Sequence, residues 1–356
     1  MAKLTSPRVS VTFTELGISA ITRGDKGTVA LIVRDGAEQV PFAITQASQA
    51  PAALSKETQD YIKRTFLGYV NPPKKVIVYV LGPDSALTDA LDYMAAQSFD
   101  YICGPADCTR EEAADIASWV KSRRLNDGAK FKAVLPNHAA DNYAIVNFTG
   151  DGMTDGATVW TTAEYCSRIA GLLAGTPMKI SATYAPLPEL SDCARLTREE
   201  SDEAVGAGEL ALRWDGRKVK LDRAVTSLVT TSQGMLDSFK KIKIVEIMDL
   251  IRTDITSTAE DDYVGKYANT YDNKLLLITA IRGYFMGLEQ SQLVQPGYTV
   301  DLDVDAIEQY LTSRGVNAEE MSEQQIREAD TGSHVFILVR CKILDAIEDI
   351  IIVVEI

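Results

Sequence analysis

Histidine is nearly missing from this chain of 356 residues; His138 and His334 are the only two. A zinc centre or a histidine relay therefore has almost no material to use. Cysteine is also sparse, and odd in number. Cys103, Cys108, Cys166, Cys193 and Cys341 include no Cys-x-x-Cys pair, so neither a disulfide framework nor a metal site is expected and the thiols read as buried and free. No apolar run approaches the roughly 20 residues of a membrane helix. The most apolar one, "DIIIVVEI", is far too short, and the N-terminus lacks a charged-then-apolar leader, so no membrane insertion is expected. Positive charge is in deficit: 36 Lys and Arg face 50 Asp and Glu, and the formal charge is −14. Without a basic stripe to release counterions, direct nucleic-acid contact is not expected.

The motifs of common enzymes are absent as well. Gly171 and Gly175 enclose three residues where a Walker loop encloses four, and no Lys-Ser/Thr follows. No Gly-x-Gly-x-x-Gly follows a strand; the nearest match, "GAGE" at Gly206 to Glu209, opens no helix. His138 in "LPNHAAD" follows a strand end, where open α/β sheets place functional groups, but no Gly-x-Ser-x-Gly elbow supplies a nucleophile. His334 falls in an alternating stretch and reads as a structural histidine in a strand. "TAEDDY" lacks the glycine and spacing of a calcium loop. The chain thus reads as a non-enzyme with no catalytic, cofactor-binding or metal-binding residue and no cofactor.

What is present is a rich strand and helix pattern. "TVALIV", "KKVIVYVL", "DYICGP", "KFKAVLP" and "YAIVNFT" are near-continuous apolar runs, separated by helical segments near "KETQDYIKRTFLG", "SALTDALDYMAAQ" and "EEAADIASWVKSRR". That alternation predicts βαβ units and a largely parallel sheet covered on both faces. Thr109 with Glu112, Thr161 with Glu164 and Thr197 with Glu200 each fit a capping box. "ALRWDGRKVKLDRAV" predicts a hairpin around the Asp215-Gly216 turn, and residues 188–232 read as a connector between domains. "SFKKIKIVEIMDLIRTDI" and "NKLLLITAIRGYFMGLEQ" are amphipathic helices, and an acidic stretch near Asp303 to Asp330 follows.

The two ends stand out. Val9, Val11 and Phe13 alternate with polar residues as in a half-buried strand. In the last segment Ile350, Ile352, Val354 and Ile356 share one face while Ile351 and Val353 share the other. A strand so apolar on both faces needs a cover, either in its own subunit or in a neighbour's sheet by strand addition. A head-to-tail link of the second kind builds rings or helical arrays.

"AEYCSRIAGLLAGTPMKISATYAPLPEL", followed by "LTREESDEAVGAGELALRWDGRKVKLDRAVTSL", resembles the tail sheath proteins of contractile phages, and "VRCKILDAIEDIIIVVEI" is similar to their C-terminus with its Asp-Ala-x-Glu-Asp turn. The likeness covers about Thr161 to Ser227 and the last 25 residues well, and the first 150 in style only. It implies a subtilisin-like α/β domain lacking catalytic residues, plus an α+β C-terminal sheath domain with extended N- and C-terminal β-arms. The implied division is an arm strand at 1–24, the α/β domain at 25–187, the connector at 188–232, the sheath domain at 233–342 and an arm strand at 343–356.

On this resemblance, Val9, Val11, Phe13, Ile350, Ile351, Ile352, Val353, Val354 and Ile356 would exchange strands between subunits. Ala163, Ser167, Gly171 and Gly175, four apart, would give one helix a face almost without side chains, with Gly175 forming a left-handed cap before Pro177. The subunit would stack in hexameric rings as a helical homo-oligomer around a tail tube protein, with baseplate and tail terminator proteins as further partners. It would assemble in the host cytoplasm and end in a virion tail or a released tailocin. The acidic stretch would face either the tube or solvent. A type VI secretion-like sheath component and an α/β hydrolase-like enzyme are the alternatives.

Overall fold

The computed structural model describes residues 21, 26–37, 40–83 and 85–355. The expected N-terminal strand around Val9, Val11 and Phe13, and Ile356, lie outside them. Two compact units are present. One comprises residues 23–253, 290–295 and 342–356; residues 254–289 and 296–341 belong to the other.

In the first unit the apolar runs become β1 (Thr28–Arg34), β2 (Phe42–Ile44), β3 (Lys75–Leu81), β4 (Tyr101–Cys103), β5 (Lys132–Pro136) and β6 (Ile145–Phe148). A small hairpin, β7 (Met153–Thr154) and β8 (Val159–Trp160), precedes β9 (Glu209–Leu210). The main sheet has seven strands in the order β2-β3-β1-β4-β5-β6-β9. β2 is antiparallel to β3, and every other pairing is parallel.

Strand β1 is apolar on both faces because both faces are covered. Val29, Leu31 and Val33 enter one core with Tyr61 and Ile62 of α1 (Lys56–Thr65); Ala30 and Ile32 enter the other with Met94 of α2 (Leu87–Ala95) and Ile116 and Val120 of α3 (Arg110–Asn126). The first core also holds Tyr165 and Ile169 of α4 (Thr162–Ala174). The result is a three-layer α/β/α sandwich. All three predicted capping boxes form, at α3, at α4 and at α5 (Arg198–Gly206), each stabilising its helix start by about 1 kcal/mol.

Residues 188–232 do not stand apart as a connector. β9 joins the edge of the main sheet, and Leu212, Val219 and Leu221, from the hairpin β10 (Leu212–Trp214) and β11 (Val219–Leu221), are buried in the same core as β1. A strand of two residues carries no readable period, so only its tertiary partner defines it. The Asp215 amide donates to the Lys218 carbonyl at 3.2 Å, closing the hairpin around Gly216 and Arg217. The Asp215 carboxylate holds it by accepting from the Arg217 and Lys218 amides.

Helix α6 (Ile242–Thr258) is tied to the sheet by buried charge. The Asp249 carboxylate accepts from Arg124 at 2.6 and 3.1 Å and from Lys132 at 2.9 Å, while Glu246 pairs with Lys26 at 2.5 Å and accepts from the Tyr101 hydroxyl. Tyr101 and Lys132 open β4 and β5, so this network lies at the N-terminal ends of the strands.

Most of α7 (Tyr271–Gln290) belongs to the second unit, with β12 (Thr299–Leu302), α8 (Val304–Ser313), α9 (Glu323–Glu328) and β13 (Ile337–Arg340). β12 and β13 form a separate two-stranded antiparallel sheet, with Val300 opposite Val339. His334 lies in a turn before β13 rather than in a strand; its amide closes on the Thr331 carbonyl and its ring lies 5.2 Å from Tyr310.

Candidate functional site: the glycine face and the C-terminal tail

In an open parallel sheet the crevice beyond the carboxyl ends of the strands is where ligands bind. Here a cavity of about 230 Å³ sits at the end of β1, lined among others by Arg34, Ser55, Thr58, Tyr61, Asp107 and Glu164. Its groups are spent on one another. Arg34 pairs with Asp107 at 2.6 Å and with Glu112, and the Ser55 hydroxyl donates to Thr58 at 2.9 Å and caps α1. No imidazole lines it. His138 follows β5, half-buried, and burial lowers its pKa. Among the described residues no cluster of His, Cys, Asp and Glu is placed to hold a metal ion.

The thiols are free. Burial pushes Cys103 and Cys166 well above the usual thiol range, Cys108 up to about 12 and Cys193 up to about 11, so none of these four is a ready nucleophile. Cys341, expected to be buried, is exposed beyond the end of β13.

The small-residue face of α4 lies against α1 and the turn that follows it. A Cβ on Gly171 would stand 1.8 Å from the Thr65 carbonyl oxygen, and one on Gly175 would stand 1.9 Å from that of Asn71. The Ser167 hydroxyl donates to the Tyr61 carbonyl at 3.0 Å, Arg168 donates to the Gly68 carbonyl at 2.7 Å, and the Asn71 amide donates to the Gly175 carbonyl at 3.2 Å. Ala163, at the start of the helix, is half-buried. The expected left-handed cap is absent: Gly175 has φ −84° and ψ −2°, a right-handed conformation. Glycine is required there by the approach of Asn71, not by backbone handedness. Tyr165, Ile169, Leu172 and Leu173 are buried on the rest of the helix.

The C-terminal tail is the other site. After β13, Ile343 bridges Val294, the Gln295 amide donates to the Lys342 carbonyl and the Leu344 amide donates to the Leu293 carbonyl, both at 2.8 Å. The acidic turn is then held tightly. Glu348 Oε1 accepts from the Thr183 hydroxyl at 2.6 Å and lies 3.0 Å from Ser181 Oγ, while Oε2 accepts from Lys241 at 3.1 Å. Arg223 Nε is 3.7 Å from Glu348, and the same guanidinium donates to both oxygens of Asp349 at 2.6 Å. Lys241 also pairs with Asp345. Burial alone would pull the Lys241 pKa down, but these carboxylates outweigh it and leave it raised. The Glu348 side chain is only 5% exposed.

Beyond this anchor the chain is bare. Residues 344–355 form no strand or helix, and Ile350, Ile351, Ile352, Val353 and Val354 are 73% to 92% exposed. Five adjacent β-branched side chains with no cover among the described residues are an unmet packing demand. Full burial of each is worth about 1.5–3 kcal/mol.

A seven-stranded α/β sheet, a second compact unit and an anchored, exposed apolar tail are the features to set beside known proteins. Residues 83–227 match the phage tail sheath protein central domain and residues 237–356 match the phage tail sheath C-terminal domain. A tail sheath protein of Clostridium phage phiCD119 is 36% identical over 352 residues, covering 98% of both chains. The chain therefore belongs to the phage tail sheath family.

Solved structures agree at the level of the fold. A sheath tail protein from Desulfitobacterium hafniense superposes with TM-score 0.66 at 18% identity, covering 83% of this chain and 94% of its own. A chain in the baseplate structure of an anti-feeding prophage, determined by cryo-electron microscopy with six-fold symmetry applied, gives TM-score 0.65 at 14% identity over 99% of both chains.

Sequence reasoning singled out the tail residues and the glycine face as candidates and gave no sign of the anchor. Ser181, Thr183, Arg223 and Lys241 lie more than a hundred positions from Glu348, and nothing local marks them as its partners. The Asp-Ala-x-Glu-Asp turn was the only available signal.

Proposed function

We propose that the chain is the subunit of a contractile tail sheath, polymerising as stacked hexameric rings around an inner tube and shortening to drive that tube through a target cell envelope. The carrying observation is the exposed run Ile350 to Val354, anchored at its root and uncovered within the chain. Completed by a second copy, it becomes a donated strand, with Val9, Val11 and Phe13 of an N-terminal arm as its companion. The two-stranded β12–β13 sheet is too small to be self-sufficient and is the natural acceptor.

The family relationship and the likeness to a baseplate chain support this reading. The order β2-β3-β1-β4-β5-β6-β9 supports a subtilisin-like arrangement of the sheet. The compact unit built from residues 254–289 and 296–341 is the body of the C-terminal sheath domain, and the stretch from Lys342 onward is the arm. The tube, the baseplate and the tail terminator are the partners, and the particle is a virion tail or a tailocin assembled in the host cytoplasm.

If strand links persist while rigid units re-dock, the lattice shortens without dissociating. An extra ~1,000 Å² of apolar burial per subunit would release at most about 25 kcal/mol, so contraction needs no nucleotide. Deleting residues 349–356 should leave a folded chain that sediments as a monomer and forms no tubes under negative-stain microscopy. Sheath-length polymers from that deletion would overturn the arm assignment.

A further inference from the structure

We infer that the Glu348 carboxylate is the register pin of the C-terminal arm: Ser181, Thr183, Arg223 and Lys241 form a built carboxylate site that fixes where the strand leaves its subunit, and hence how it enters a second copy. This rests on the strand-donation reading.

The need for a pin follows from the tail itself. A strand's register is normally fixed by the contrast between its two faces, because a one-residue slip moves every side chain to the other side. Here the contrast is confined to the ends of the run, where Asp349 and Glu355 share the face of Ile351 and Val353. Between them Ile350, Ile352 and Val354 would exchange places with Ile351 and Val353, so the middle of a slipped strand would present almost the same surface. Side-chain packing cannot discriminate strongly between registers, and the discrimination has to come from the point of departure.

The structure supplies such a point. Glu348 is the least exposed acid of the turn, with Thr183 at 2.6 Å, Ser181 at 3.0 Å and Lys241 at 3.1 Å on its two oxygens, and Asp349 is gripped by Arg223. The donors come from three separate places in the chain, which orients the carboxylate as well as retaining it. Ile350, which begins the uncovered apolar run, is two positions on. Glu348 shares this role with Asp349 on Arg223 and Asp345 on Lys241; were these ties released together, the next one would be the main-chain bond of Leu344 to Leu293, and the five residues between, about 17 Å of chain at roughly 3.3–3.6 Å per residue, would no longer fix the point of departure.

The test uses the full-length protein with Glu348→Gln, which keeps the shape and removes the charge, and Lys241→Met, with Lys241→Arg as the conservative control. Hydrogen exchange of the monomer reads the pin directly: the hydrogen-bonded amides at the root of the tail, Leu344 and Ala346, should exchange at least about tenfold faster in Glu348→Gln and Lys241→Met, with Lys241→Arg close to wild type. Electron microscopy of assembled material reads the consequence. Both loosened variants should give fewer and poorly ordered polymers, with power spectra lacking the wild-type layer lines.

Unchanged exchange in both variants, or accelerated exchange with wild-type lattice order, would overturn the proposal. Failure of the underlying reading has a different signature, since it would show as normal polymers from a chain truncated after Asp349, whatever the exchange data say.

Discussion

Two helices of this protein carry the same spacing, Gly-x-x-x-Gly, and it means different things in each. At the end of α4, Gly171 and the capping Gly175 are buried, and an added Cβ would meet a backbone oxygen at under 2 Å. In α7, Gly283 and Gly287 are exposed, with nothing within 4 Å of the Cβ each lacks. One pair is explained by the chain's own contacts and the other is not. The difference teaches that a small-residue stripe in sequence reports a possible close approach, while only the surrounding coordinates show whether the approach is made within the chain. The tail falls on the same side of this division as α7, having no cover among the described residues.

The comparison can be broken by substitution. The largest effect should come from Gly171→Leu, which forces a side chain into the Thr65 backbone and should abolish cooperative unfolding as followed by circular dichroism. Retention of a native transition would mean that α1 and α4 are not in contact as described. Next comes Asp249→Ala. It strands Arg124 and Lys132 together in the interior and should cost about 3–5 kcal/mol in a denaturant titration.

On the open side the sign reverses. Gly283→Ala and Gly287→Ala should each stabilise the isolated chain by about 0.5–1 kcal/mol, because alanine suits a helix interior better than glycine and meets nothing. Loss of stability instead would show that α7 is not an open helix at those positions.

The smallest effect is a pH dependence at the end of β1. Burial alone would raise the Asp35 pKa, but hydrogen bonds from Ala37, Ser55 and Thr58 outweigh it and lower the value from 3.8 to about 2. A depressed carboxylate stabilises the fold above its unfolded pKa, and that contribution is lost as pH falls through the folded value. Asp35→Asn should therefore be less stable than wild type at about pH 6, with the gap closing towards about pH 2 in thermal denaturation. A gap independent of pH would assign the effect to shape rather than charge.

Much of this architecture is legible in the sequence because its strongest determinants are local. The Val and Ile runs of β1, β3 and β5 announce strands buried on both faces, and the Thr-x-x-Glu boxes announce α3, α4 and α5. What was hidden depends on partners distant in sequence. β2 and β9 have three and two residues and exist only because β3 and β6 lie beside them. Gly175 was misread for the same reason: its local context suits a left-handed cap, and only Asn71, a hundred positions earlier, explains it otherwise. The carboxylate sites of Asp249 and Glu348 are likewise assembled from remote segments. The apolar tail, by contrast, was visible at once, since its oddity needs no partner to be seen.

The brevity of β2 and β9 has a consequence for fidelity. They are the two margins of the large sheet, and a margin two or three residues long offers a passing strand too few main-chain partners to hold it. Were the exposed tail of one copy to meet another copy, the biggest sheet would offer it no long margin, and a mistaken joint there would dissolve before it could propagate.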